Sequence, residues 1–289
     1  MKLALKIDVD TLRGTREGVP RLVELLKKHG AGATFLFSLG PDHTGRALRR
    51  IFRPGFFSKV SRTSVVEHYG IRTLLYGTLL PGPDIGLRCK DVMRATRDTG
   101  FEVGVHCWDH VRWQDFVAHK DAAWTQHEME LACERFESVF GEIPGTWGAA
   151  GWQTNVHAAR FEERFAYASD TRGTCPFLAV WNGQVVGCPQ VPTTLPTLDE
   201  LIGLHDDPVQ HLLRLGSDGD HVFTAHAELE GGKLIGMFDS LLAGWKKQGY
   251  ELVSTGKIPL GRLPRHEVIY GEVPGRSGTL ALQGKEQIG

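Results

Sequence analysis

Four side chains set at short intervals could do chemistry together. Asp8 and Asp10 are two residues apart in Ile7-Asp8-Val9-Asp10, so in an extended strand both carboxylates point to the same face. Like charges that close are costly unless a cation lies between them or one takes up a proton, so the pair suits either a metal or acid–base work. His106 and His110 are four apart in His106-Cys107-Trp108-Asp109-His110, a spacing that converges on one ion from a helical turn or a strand-to-helix bend. Two histidines and one carboxylate leave coordination positions open, as a catalytic rather than a closed structural metal site does. Each signal has a plain alternative: among 13 histidines a His-x3-His arises by chance, and Asp-x-Asp also binds loop amides. Asp170 in Ser169-Asp170 and His226 in Thr224-Ala225-His226 close two further apolar runs.

These residues need elements to position them. Leu3–Val9 reads as a strand, Val19, Leu22, Val23 and Leu26 follow at helical spacing, Gly30 is a stop, and Thr34–Phe37 reads as a second strand, giving one βαβ unit. Further strands are expected at Phe101–Cys107, Gly145–Ala149, Phe165–Ser169, Val185–Val191, Val222–Ala227 and Glu251–Val253. Met129, Ala132, Phe136, Val139 and Phe140 mark one helical face, and Phe238, Leu241, Leu242 and Trp245 another. This alternation predicts an α/β fold of mainly parallel strands in which seven or eight strands form a barrel, with polar strand ends gathered at one rim. No linker divides the chain, so one domain over 1–289 is expected. Residues 258–289 are rich in Gly and Pro with weak periodicity and read as a loosely packed or partly mobile extension.

With 33 basic and 34 acidic residues in 289, the chain is not a globally basic nucleic-acid binder, and no nucleic-acid partner is expected. Its 41% hydrophobic content suffices for a core. Five cysteines without a Cys-x-x-Cys pair suggest reduced thiols rather than a disulfide framework or cysteine zinc cluster. Met1–Ile7 runs into Asp8 too soon for a signal peptide, and no stretch reaches the roughly 18 apolar residues of a membrane span. Gly30-Ala31-Gly32-Ala33 imitates a dinucleotide loop in the wrong order of elements and reads as a cap and turn. There is no Walker loop and no Gly-x-Ser-x-Gly elbow.

Asp8-Val9-Asp10-Thr11, His106 to His110, Ala149-Ala150-Gly151-Trp152, Ser169-Asp170-Thr171-Arg172-Gly173, Thr194-Leu195-Pro196-Thr197 and His226-Ala227-Glu228 together resemble the NodB-type polysaccharide deacetylases, metal-dependent carbohydrate deacetylases. The longer strings resemble the branch that removes formyl from an undecaprenyl-phosphate-linked amino sugar in lipid A modification. The resemblance implies an irregular (β/α)7–8 barrel of the NodB type and one divalent metal ion on Asp10, His106 and His110. Zinc is expected, with cobalt, nickel or manganese tolerated. It further implies Asp8 as general base, His226 as general acid and Asp170 as the residue that orients His226. Two departures stand out: the family's aspartates are usually adjacent, and the arginine that holds the base in many members has no counterpart in Gly145–Gly151. Arg172, following Asp170, is the candidate substitute.

The same resemblance implies a polyprenyl-phosphate-linked sugar as substrate and no obligate protein partner, with the chain peripheral on the cytoplasmic face of the bacterial inner membrane. A basic segment suits that setting. Between Asp42 and Glu67 there is no acidic residue, while Arg46, Arg49, Arg50, Arg53, Lys59 and Arg62 are basic and Phe56 and Phe57 follow Pro54. Residues 43–85 thus read as an insertion after the second strand, containing two short amphipathic helices able to lie among anionic headgroups. A solvated face over an ordinary core helix is the plain alternative. Two other readings of the whole chain remain: an amide hydrolase of another amino sugar or small cyclic amide, and a carbohydrate- or lipid-binding module without turnover.

Overall fold

The computed structural model describes residues 1–47 and 70–287. Its first strand, β1 (Lys2–Val9), is buried from Leu3 onward. Leu3, Leu5, Ile7 and Val9 join the large core beneath the helices, while Ala4 belongs to a smaller cluster with Tyr167, Val191, Val222, Val253 and Ile258. Alternation therefore gives Lys6 and Asp8 the same side as Ala4, the second face of the sheet. A π-helical turn, Gly14–Gly18, leads into the helix Val19–His29, which ends at Gly30 in the left-handed conformation (φ 59°, ψ 34°), where the absent Cβ removes the steric penalty.

The remaining strands are β2 (Thr34–Ser38), β3 (Glu102–Cys107), β4 (Thr146–Trp147), β5 (Tyr167–Ala168), β6 (Phe177–Trp181), β7 (Gln184–Gln190), β8 (His221–His226), β9 (Glu251–Val253), β10 (Arg265–Glu272) and β11 (Thr279–Glu286). Neighbours in the path β8-β1-β2-β3-β4-β5-β7 all pair in parallel. Between β7 and β8 the seam is carried by irregular backbone, with the amides of Thr194 and Leu195 donating to Val222 O at 3.0 and 3.2 Å. β9 pairs with the first half of β1. The long helices Ile85–Asp98, Ala122–Phe140 and Ile235–Lys247 each bury one apolar stripe. The α/β class and its irregular parallel core agree with expectation.

Three strands, β6, β10 and β11, were not anticipated. β6 forms an antiparallel hairpin with β7 through Asn182-Gly183, both at positive φ (50° and 78°), the dihedrals that favour Asn-Gly in tight hairpins. That dipeptide between two apolar runs was the available signal. The stretch from 258, read as loosely packed, instead forms β10 and β11, an antiparallel pair joined in parallel to β6, with Leu280 and Ala281 buried. Its half-buried alternation is diluted by glycine, which hid it. β4 and β5 span two residues each, shorter than expected, because the chain turns away at the rim.

Of the basic segment, Arg49, Arg50, Arg53, Phe56, Phe57, Lys59 and Arg62 lie outside the described residues. Arg46 is exposed on the turn Thr44–Ala47, and its Nε donates to Gly77 O at 3.0 Å. The flanks meet where Asp42 N donates to Pro83 O at 2.9 Å. Among the described residues no helix is long and apolar enough to cross a membrane.

Close backbone approach supports this arrangement. A Cβ on Gly18 would fall 2.0 Å from Ala227 O, whereas one on Gly145 meets nothing within 4 Å. Gly18→Ala should therefore lower unfolding free energy by about 1–3 kcal/mol in urea titrations, with Gly145→Ala within about 0.5 kcal/mol of wild type.

Candidate active site

The end of β1 carries the centre of the site. Asp8 pairs in register with Leu36 of β2 and His226 of β8, so the ends of adjacent strands bring these side chains to one rim. His106 ends β3, and His110 opens the helix His110–Phe116 under the N-cap Asp109, which accepts from Arg112 N. The strand-to-helix bend, rather than one helical turn, joins the two histidines, whose ring centroids are 5.4 Å apart.

Asp10, His106 and His110 each offer one ligand atom, all within 4.8 Å of one another. Asp10 Oδ1 is 3.2 Å from His106 Nε2, and Oδ2 is 3.4 Å from His110 Nε2. Burial alone would raise the Asp10 pKa, but His110 and His106 outweigh it and hold the carboxyl far below the usual range. Burial likewise pulls the His106 pKa down, and Asp8 and Asp10 more than reverse this. His106 Nδ1 lies 2.6 Å from Gly148 O, a contact that places a proton on Nδ1, so that in the neutral ring the Nε2 lone pair faces Asp10 and is available to a metal. Asp8 Oδ1 and Asp10 Oδ1 are both buried and receive no hydrogen bond. Two imidazole nitrogens and a carboxylate, beside buried oxygens still lacking a partner, fit a divalent cation.

Asp8 itself is 3% exposed. The cation beside it is Lys6, whose Nζ lies 3.4 Å from Asp8 Oδ2, donates to Ser169 O at 3.0 Å and sits 5.3 Å from the Trp152 ring centroid. The suggestion that Arg172 holds Asp8 is corrected: Arg172 Nη1 donates to Glu200 Oε1 at 2.6 Å and Nη2 to Leu195 O at 3.0 Å. Its guanidinium carbon lies 5.0 Å from the Trp152 ring centroid. A lysine in an otherwise apolar buried strand, two residues before Asp8, was the signal for Lys6.

Asp170 also sits differently from expectation. Its Oδ1 accepts from Ala149 N at 2.7 Å and its Oδ2 from Gln190 Nε2 at 3.2 Å. It thus fixes the turn whose Gly148 carbonyl meets His106, and the carboxylate facing His226 is Asp199, with Oδ1 4.0 Å from His226 Nδ1. Glu228 braces the other side, its Oε1 accepting from the amides of Asp10 and Thr11 at 3.1 and 2.8 Å. Glu230 Oε2 accepts from His226 N at 2.7 Å, and burial pushes that carboxyl up to about 8. Asp199 and Glu230 carried no spacing signal in the sequence, since a one-turn helix, Leu198–Leu201, and the turn after β8 deliver them rather than strand ends.

Residues 3–158 match the polysaccharide deacetylase family, and the chain belongs to that family. Its similarity to individual proteins is more specific. It is 35% identical to a Shewanella sediminis protein over 98% of this chain and 94% of that one. A Wigglesworthia glossinidia brevipalpis protein is 30% identical over 94% and 99% of the two chains. Both carry the name "Probable 4-deoxy-4-formamido-L-arabinose-phosphoundecaprenol deformylase ArnD". Among solved structures, a Mycobacterium smegmatis protein assigned to the polysaccharide deacetylases superposes with TM-score 0.58 at 15% identity, covering 94% of this chain and 95% of its own. A Bacillus anthracis CE4-family pseudoenzyme superposes with TM-score 0.53 at 12% identity, covering 92% and 69%. A pseudoenzyme among the neighbours makes plain that the fold alone does not carry activity; the side chains must.

The buried carboxyls behind the site give a pH signature. Gln190 Nε2 donates to both Asp170 Oδ2 and Glu162 Oε2, at 3.2 and 3.3 Å, and burial together with Asp170 raises the Glu162 pKa well above the carboxylate range. The folded state keeps a proton that the unfolded chain releases, so stability falls as pH rises from about 4. Glu162→Gln should remove one proton from that slope, about 1.4 kcal/mol per pH unit, in melts recorded from pH 4 to 9.

Proposed function

We propose that this chain hydrolyses the formamide of undecaprenyl-phosphate-linked 4-deoxy-4-formamido-L-arabinose, giving formate and the free amino sugar lipid for lipid A modification and cationic-peptide resistance. The observation that carries the reading is the joining of Asp8, Asp10, His106, His110 and His226 at one rim in a chain similar over nearly its whole length to proteins bearing the deformylase name. Asp10, His106 and His110 would hold one divalent ion, with zinc the first expectation for mixed histidine and carboxylate donors. Bound there, such an ion supplies Lewis acidity, lowering the pKa of water and polarising an amide oxygen.

The chain's own residues then divide the proton work. Asp8 receives the proton of the water that attacks the formyl carbon, and Lys6 holds that carboxylate in place while compensating its burial. As the C–N bond breaks, His226 gives a proton to the departing sugar nitrogen. His106 is kept in its orientation through Gly148 and, behind it, Asp170. The lipid carrier is consistent with a peripheral position on the cytoplasmic face of the inner membrane, with Arg46 and the basic segment after it among the headgroups.

The test is incubation of purified protein with the formamido-sugar lipid, with and without chelator, followed by mass measurement and formate assay. Loss of one formyl group per lipid, abolished by chelator, is expected; an unchanged lipid mass with metal-loaded protein would overturn the reading. Asp8→Asn should keep its metal yet lose at least about a hundredfold in kcat, whereas His106→Ala should lose both metal and turnover. The pH profile of kcat should be bell-shaped, because the base must be ionised while the acid is protonated.

A further inference from the structure

The hairpin of β10 and β11 is anchored on the segment that follows β5. Arg172 N donates to Ala281 O at 3.0 Å, Gln283 N to Arg172 O at 2.8 Å, and Thr174 N to Gln283 Oε1 at 2.7 Å. This anchoring brings the turn between the two strands to the rim of the site, and the turn carries Arg276. The Arg276 guanidinium spans the Asp199 carboxylate, with Nη1 3.2 Å from Oδ2 and Nη2 donating to Oδ1 at 3.3 Å. Nη2 also donates to Thr197 Oγ1 at 3.0 Å and Nε to Glu200 Oε1 at 2.9 Å, while the guanidinium carbon lies 4.9 Å from the Trp152 ring centroid. A two-pronged arginine contact fixes the plane of a carboxylate as well as its position.

The fixed carboxylate faces a histidine in need of an acceptor. His226 Nδ1 is buried and has no hydrogen-bond partner, and Asp199 Oδ1 lies 4.0 Å from it. The other groups around His226 are Glu230, whose Oε2 takes its backbone N–H, Asp8 beside it in register, Asp10, and the Trp152 ring at 6.3 Å. Of these, Asp199 is the one whose carboxylate oxygen is set against Nδ1, at 4.0 Å.

We infer that Arg276 is a positioning residue for His226: from the C-terminal hairpin it holds Asp199 against Nδ1, so that the ring keeps that proton there and turns Nε2 to the substrate. The inference rests on the proposed deformylation, in which His226 is the acid. Arg276 is placed to act on His226 through Asp199, which lies between them. Glu200 retains Arg172 when Arg276 is removed, and its Oε2 still accepts from Thr197 N at 3.0 Å, so the surrounding loop keeps its own support.

The experiment compares wild type, Arg276→Ala, Arg276→Lys, Asp199→Asn and the Arg276→Ala/Asp199→Asn double variant, each metal-loaded. Kinetics use the formamido-sugar lipid, and 15N-histidine NMR spectra are recorded without substrate. Arg276→Ala should lower kcat by roughly tenfold to a hundredfold with KM within about twofold, and the double variant should be no slower than Asp199→Asn alone. The His226 Nδ1 resonance should move in Arg276→Ala, and Arg276→Lys, which cannot span the carboxylate, should fall between Arg276→Ala and wild type. An unchanged kcat, an effect confined to KM, multiplying losses in the double variant, or an unmoved His226 resonance would each overturn the inference. Should Arg276→Ala fail to fold, Arg276→Lys decides by the same readouts. Wild type inert on the lipid, with His226 still responding to Arg276, would instead sink the deformylase reading and leave the Arg276–Asp199–His226 contact standing.

Discussion

Two carboxylates are buried side by side at the end of the central strand, and the surrounding structure is organised to compensate them. Asp8 and Asp10 each keep one oxygen without a hydrogen bond, a costly state in a low-dielectric interior. Compensation comes from four directions: Lys6 below, His106 and His110 from the next but one strand and the helix after it, and His226 from the strand on the other side. Removing any of these would leave buried negative charge short of a partner, which costs more than the pair gains by forming. Such a cluster is poor material for stability and good material for binding a cation.

The fold meets this demand because parallel strands end together. β1, β2, β3 and β8 are adjacent and parallel, so residues remote in sequence arrive at one rim. A second layer of bonds then fixes directions. Asp170 ties down Ala149, Gly148 receives the His106 imidazole, and Glu228 secures the amides of Asp10 and Thr11. These partners govern which nitrogen of a histidine is free and which carboxylate oxygen faces inward, the details on which metal affinity and proton transfer depend.

What the sequence made legible follows from periodicity. Asp8 and Asp10 could be read because a strand has period two, His106 and His110 because four residues carry a chain around one bend, and His226 because it closes an apolar run. The first βαβ unit was legible for the same reason, with Gly30 as its stop. Asp199 could not be read in this way: it follows Thr197 in a capped turn, and no repeat links such a turn to a strand on the far side of the seam. Asp170 and Arg172 were placed at the correct rim but given the wrong neighbours, since strand-end position specifies a side of the barrel and not the partner. The C-terminal hairpin escaped because its glycines dilute an alternation that is only half-buried.

The position of Lys6 explains why a chain of this family can lack the arginine expected after the fourth strand. Lys6 and Asp8 occupy alternate positions on β1 and Asp10 directly follows its end, so the pleat that presents Asp8 to the rim also sets an ammonium two residues before it. The lysine stem needs space where the fourth strand turns away, and Gly148 provides it. A Cβ there would lie 2.3 Å from Leu36 Cδ1 and 3.2 Å from Lys6 Cε, so any side chain at that position would displace the leucine and crowd the lysine. In this chain the compensating charge enters from within the first strand, from Lys6, and glycine at 148 leaves room for its stem.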